Sequence, residues 1–193
     1  MRAACAAIEV EAGEDVLRLV RHGAPLDELF QLAVGALDDR FARFADAYRA
    51  CYLDGGVCLA TTAAYPGVAE TLAALRVLPS PPFLAVATTK RTESARRVLS
   101  GTGLLDLVDE VVGSDGLAPK PDPAILLEAA RRAGIDIGRA LMVGDTDRDI
   151  LAARRAGARV AAVAYGGLGA EELLRHEPDY LLRSFGELLR VLT

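Results

Sequence analysis

Ala140-Leu141-Met142-Val143-Gly144-Asp145-Thr146-Asp147-Arg148-Asp149-Ile150 is the stretch on which the reading of this chain turns. The apolar run 140–143 has the length of a buried strand, and 150–156 continues at helical spacing. Between them Asp145 stands at a strand end and Asp149 one helical turn later. Both can therefore face the crevice at the carboxyl edge of a parallel sheet, where open α/β sheets bind ligands. Two carboxylates on one side, with Arg148 the only basic neighbour, suit a hard cation such as Mg2+, which takes one or two protein carboxylates plus substrate oxygens. Each residue also has a plainer alternative, Asp145 as a helix cap and Asp149 as a first-turn acid favoured by the helix dipole.

Outward from this stretch, short apolar runs alternate with amphipathic helices, which predicts βαβ units and a parallel sheet. Strands are expected at 83–87, 110–112, 140–143, 160–164 and, as an edge, 180–182. Helices are expected at 92–100, 123–133, 147–156 (stopped by Gly157) and 185–192. In the second of these, Ile125, Leu126, Ala129, Ala130 and Ala133 fall on one face. Residues 1–64 show no strand pattern but helical periodicity at 15–20, 26–37 and 41–52. They form a helical module, joined to the α/β part, 65–193, through Tyr65-Pro66-Gly67.

Composition narrows the function classes. A chain of 193 residues, 52% hydrophobic, can build a full core without metals or disulfides to staple it. A net charge of -5 argues against nucleic acid as a partner, because such binding needs a basic face. Cys5, Cys51 and Cys58 are odd in number and lack C-x-x-C spacing, so they predict neither a disulfide framework nor a zinc site. No run approaches the roughly 20 apolar residues of a membrane span, and 1–10 is broken by Glu9, unlike a signal peptide. The expectation is a cytoplasmic protein with no membrane partner.

Two further positions carry chemistry. Thr88 ends the predicted strand 83–87, where its hydroxyl and the next backbone amides can receive phosphoryl oxygens at a helix N-terminus. Lys120 lies in Pro119-Lys120-Pro121-Asp122-Pro123, a turn stiff enough to aim an ammonium at a fixed point. Taken singly, Thr88 reads as a cap for the helix near Thr92 and Lys120 as a solvated loop residue. Only two of the 22 basic residues are lysines, Lys90 and Lys120, and each stands beside one of these motifs. Ammonium and guanidinium groups meet phosphate differently, so that placement favours a phosphate site.

Val86-Ala87-Thr88-Thr89-Lys90, Lys120-Pro121-Asp122-Pro123 and Gly144-Asp145-Thr146-Asp147-Arg148-Asp149-Ile150, in that order, resemble motifs two, three and four of the haloacid dehalogenase superfamily, above all its phosphoglycolate phosphatase-like branch. The resemblance implies an α/β fold, a three-layer Rossmann-like parallel sheet with a small helical cap formed by 1–64. It implies a Mg2+-dependent phosphatase acting on a small phosphorylated substrate. Thr88 and Thr89 would bind the transferring phosphoryl group with Lys120, which neutralises it. Asp145 and Asp149 would form the metal site, Asp149 supporting the lysine as well. Where many relatives carry Thr-Asn-Lys, this chain carries Thr-Thr-Lys.

Motif one is the departure. The family's nucleophilic Asp lies in D-x-D-G-T on the first, central strand, ahead of the cap. Residues 1–23 here look like cap sequence already under way, with Arg21-His22-Gly23-Ala24-Pro25 matching a cap loop. Glu9-Val10-Glu11-Ala12-Gly13 copies the spacing but leaves no room for the first cap helix. The expectation is that the central strand and the nucleophile are absent from these residues and that the chain as written turns over phosphate very poorly. A start upstream of Met1 would restore an ordinary phosphatase. A non-catalytic pseudophosphatase, binding a phosphorylated ligand or a protein partner, is the alternative. A phosphorelay receiver domain uses Asp, Thr and Lys with the acids first, the opposite of the order here. Substrate identity and oligomeric state are not encoded in these motifs.

Overall fold

The computed structural model describes residues 1–21, 24–51, 60 and 62–192. The chain divides into two compact units, residues 1–62 and 63–193.

Among its described residues the first unit has helices and no strand: α1 (Arg2–Ala7), α2 (Glu14–Arg21), α3 (Leu26–Val34) and α4 (Arg40–Arg49). Ala4, Cys5, Ile8, Val16, Leu29, Phe30 and Phe44 are buried together. Phe30 meets Phe41 and Phe44 edge-on, with centroids 5.5 and 5.3 Å apart, an arrangement favoured by the ring quadrupoles. Helix α3 stops at Val34 rather than 37 because Gly35 takes φ +100° and ends it. Helix α1 is too short to show a period in the sequence. Glu9 follows it at φ +60°, and Glu9-Val10-Glu11 forms no strand. His22 and Gly23 of the predicted cap loop, Tyr52 and Cys58 lie outside the described residues.

The second unit is α/β. It runs α5 (Val68–Arg76), β1 (Ala85–Ala87), α6 (Thr92–Gly101), β2 (Glu110–Val112), α7 (Ala124–Ala133), β3 (Leu141–Gly144), α8 (Asp147–Ala156), β4 (Arg159–Val163), α9 (Ala170–Leu174), β5 (Tyr180–Leu182) and α10 (Leu188–Leu192). Helix α5 has no counterpart among the sequence expectations, and the predicted helix 185–192 divides into a 3-10 turn, Phe185–Glu187, and α10.

Strand β4 shows why the unit has three layers. Its side chains alternate: Val160 and Ala162 pack with Leu126 of α7 and Ile150, Ala152 and Ala153 of α8, while Ala161 and Val163 pack with Leu75 of α5 and Leu188 of α10. A strand buried on both faces is the mark of a parallel sheet between helical layers. Every observed strand pairing is parallel.

The strands fall into two fragments, β1-β2 and β3-β4-β5. Ala140 O accepts a bond from Arg159 N. In an evenly spaced parallel ladder, Met142 and Gly144 then also turn their backbone groups towards β4, and Leu141 and Val143 turn theirs away. In the other fragment Leu84 O accepts from Asp109 N, and Thr88 N donates to Val112 O, so Ala85 and Ala87 likewise face away from their partner. Among the described residues no strand pairs with either of these two edges. Helix α7 ties the fragments together. Ile125 and Ala129 sit with Val112 and Ala87, and Leu126 belongs to the cluster beneath β4.

Candidate active site

Three sequence elements meet where β1 and β3 end. Lys120 Nζ lies 3.2 Å from Ala87 O and 2.5 Å from Asp149 Oδ1, donating to both. The pair is nearly enclosed, with 13% of the lysine side chain and 6% of the aspartate exposed. Lys120 is thus not a solvated loop residue. A charge pair shielded in this way needs its remaining lone pairs satisfied, and Asp149 Oδ2 provides that. It accepts from Asp145 N at 3.2 Å, Thr146 N at 3.1 Å and Thr146 Oγ1 at 2.8 Å.

The local sequence builds this arrangement. Thr146, not Asp145, caps α8, and Thr146 with Asp149 forms a reciprocal capping box. Gly144 leaves the space that the Asp149 carboxylate fills; a Cβ there would stand 2.5 Å from Asp149 Cβ and Cγ. Gly157, at φ +81°, closes the helix behind Arg154 and Arg155, whose charges suit a C-terminal turn.

Asp145 is held by a different loop. Its Oδ2 accepts from Gly167 N at 2.5 Å, and its main-chain oxygen accepts from Leu168 N at 3.1 Å. A Cβ on Gly166 would fall 2.2 Å from Asp145 Cβ, so that position also serves the acid by lacking a side chain. Asp145 Oδ1 accepts no bond from the described residues and stands at the carboxyl end of β3. Beside it, Tyr165 packs edge-on against Tyr65, with centroids 5.0 Å apart. Burial, then the Asp145 charge and Tyr65, push the Tyr165 phenol up to about 12.

Thr88 lies just past β1, half-buried, and Thr88 Oγ1 accepts from Lys90 N at 3.2 Å. It does not cap α6, whose N-cap is Arg91. Thr89 turns its carbonyl to Ser114 Oγ, 2.8 Å away. Ser114, Asp115, Thr146, Gly144 and Gly166 have no role in the reading of the sequence, although Gly144 and Thr146 lie within the quoted motif. Thr146-Asp147-Arg148-Asp149 carries a readable capping-box spacing; the others depend on contacts between distant segments.

The donor set can be tested against a divalent cation. Among the described residues Asp145 offers one uncommitted carboxylate oxygen, which is sufficient for Mg2+, a cation that keeps several waters and takes one or two carboxylates plus substrate oxygens. Asp149 has both oxygens engaged, so its part at such a centre runs through Lys120 and the Asp145 amide. No cluster of three or more His, Cys, Asp or Glu side chains occurs among the described residues. No described helix is long and apolar enough to cross a membrane.

Comparison with known proteins bears on the family and the fold. The haloacid dehalogenase-like hydrolase family matches residues 2–157. Probable phosphatase IndB of Dickeya dadantii (strain 3937) is 35% identical over 170 residues, 86% of this chain and 73% of that protein. Pyrophosphatase PpaX of Bacillus velezensis is 35% identical over 179 residues, 92% of this chain and 79% of its own. The crystal structure of a predicted phosphoglycolate phosphatase from Haemophilus somnus 129PT superposes with a TM-score of 0.84 at 28% identity, covering 100% of this chain and 88% of that one.

Proposed function

The chain belongs to the haloacid dehalogenase-like hydrolases, and from that membership we propose that it is a Mg2+-dependent phosphatase for a small phosphorylated metabolite. The observation that carries this reading is the buried junction of Lys120, Asp149 and the end of β1, where an ammonium is held between a carboxylate and the Ala87 carbonyl. Relatives named as a pyrophosphatase and as a predicted phosphoglycolate phosphatase support the substrate class.

In this reading Thr88, with the Thr89 amide, receives the phosphoryl oxygens, and Lys120 offsets their charge from a fixed position. Such preorganised charge is the main electrostatic means of lowering a phosphoryl-transfer barrier. Asp145 would hold the cation through its uncommitted oxygen, with Asp149 behind it. The cation, when bound, offsets negative charge on the phosphoryl group. The helical module 1–64 is, in this reading, the substrate-selecting cap.

The nucleophile is proposed to be a carboxylate on a strand seated between β1 and β3. Both of those strands turn the backbone groups of alternate residues towards that position. Phosphate monoesters hydrolyse so slowly without catalysis, up to ~10²¹-fold, that binding residues alone leave turnover negligible. A carboxylate able to form a covalent intermediate is what this reading requires there.

The test is phosphate release from an aryl phosphate with Mg2+. It compares residues 1–193 with the same chain preceded by an apolar strand ending in D-x-D. Hydrolysis by the extended protein only, abolished by Asp145→Asn, is expected. An extended protein that binds phosphate but stays inert would favour the pseudophosphatase reading. Robust turnover by residues 1–193 would sink the account of the nucleophile.

A further inference from the structure

We propose that Gly113-Ser114-Asp115, at the end of β2, is a clamp that sets the anion affinity of the Thr88–Arg91 loop, with Ser114 and Asp115 as positioning residues. The inference rests on the phosphatase reading for what the loop binds. Its own basis is a set of bonds between two segments more than twenty residues apart.

Ser114 acts on the loop twice, its N–H donating to Lys90 O at 2.9 Å and its Oγ to Thr89 O at 2.8 Å. Asp115 Oδ2 accepts from Thr92 N at 2.8 Å and from Thr92 Oγ1 at 2.5 Å. Thr92 Oγ1 in turn accepts from Gly113 N at 3.0 Å. Those bonds hold the Asp115 carboxyl below the usual carboxylate range, the Thr92 hydroxyl first among the causes. The segments also touch without side chains between them. A Cβ on Gly113 would lie 2.3 Å from Thr92 N and 2.5 Å from Lys90 O, both backbone atoms.

The consequence lies in the geometry of the peptide unit. In a trans peptide the carbonyl and the N–H point in opposite directions. Pinning the carbonyls of Thr89 and Lys90 to Ser114 therefore fixes which way the Lys90 and Arg91 N–H groups point. Lys90 N–H is already turned onto Thr88 Oγ1, so the clamp also orients the hydroxyl assigned to the phosphoryl group. A loop pre-set in this way avoids the ordering cost of closing on a small anion.

The experiment uses residues 1–193 with inorganic phosphate and Mg2+, reading phosphate affinity by calorimetry and amide exchange at Thr89–Thr92 by NMR. Asp115→Ala is expected to weaken phosphate by about tenfold or more and to speed exchange at those amides similarly, as loss of two bonds to one acceptor implies. Asp115→Asn keeps the single oxygen that takes both Thr92 bonds and should restore both readouts to within about threefold. Faster exchange is expected to leave the Lys120–Asp149 junction, judged by amide exchange at Thr146 and Asp149, unchanged. Unaltered exchange in Asp115→Ala overturns the clamp. Faster exchange with wild-type phosphate affinity overturns its link to the site. A wild-type protein that does not bind phosphate at all instead brings down the functional reading, and the exchange rates then decide the clamp alone.

Discussion

In the three-stranded fragment the working residues are held from inside. Val160 and Ala161 of β4 are fully buried, and Asp149, just past the end of β3, is fixed by side chains that reach it in the interior, Lys120 and Thr146. In the two-stranded fragment β1 is only partly covered, and the Thr88–Arg91 loop is fixed from its flank by backbone atoms and an exposed aspartate, Asp115. The contrast follows from burial. Where water is excluded, a charge pair can be locked only if every oxygen is satisfied; where the edge is wet, many ordinary hydrogen bonds and a close backbone approach do the holding.

The largest effect should come from the buried half. Asp149→Ala leaves Lys120 without its carboxylate and removes the capping box, for an expected loss of about 3–5 kcal/mol, read from urea unfolding. A loss no greater than that of Asp115→Ala, about 1 kcal/mol at an exposed acceptor, would erase the distinction between the halves.

A second pair sharpens the same comparison. Gly144→Ala and Gly113→Ala should each cost about 1–3 kcal/mol through overpacking, but for different reasons. The Gly144 clash is with the Asp149 side chain, so it should largely vanish in an Asp149→Ala background. The Gly113 clash is with backbone, so removing the Thr92 side chain should not relieve it.

The smallest effect is spectroscopic. Among the five tyrosines, Tyr165 should ionise late, near 12, because burial first and the Asp145 charge second oppose its phenolate. Since its folded value is raised, the stability it contributes is present below pH 10 and is lost between about 10 and 12. Asp145→Asn should move the late absorbance step downward; a step that stays put would place Tyr165 out of reach of that acid.

Much of the architecture could be read from the sequence. Strands at 110–112 and 180–182 and the helix Asp147–Ala156 sit where their patterns put them, because the Val and Tyr-Leu runs are bounded by clear turn residues and Gly157 stops the helix. The runs at 83–87 and 160–164 are trimmed or shifted, since Phe83 and Leu84 are apolar yet precede the parallel pairing. Of the site, Lys120, Asp149 and the end of β1 come together as bonded neighbours. The roles of Gly113, Gly144 and Gly166 stayed hidden, because a glycine's function is the space it leaves for a residue far along the chain.

The scarcity of lysine gives the loop at Thr88–Arg91 a further use. An endoprotease specific for lysine meets two candidate bonds in this chain, and the side chain of Lys120 is nearly enclosed and paired with Asp149 in the folded protein. Limited digestion therefore has a single target, the Lys90–Arg91 bond, in the segment tied down by Ser114 and Asp115. The rate of that one cut, seen as two fragments of nearly equal size on a gel, is a direct gauge of how firmly the loop is kept in place.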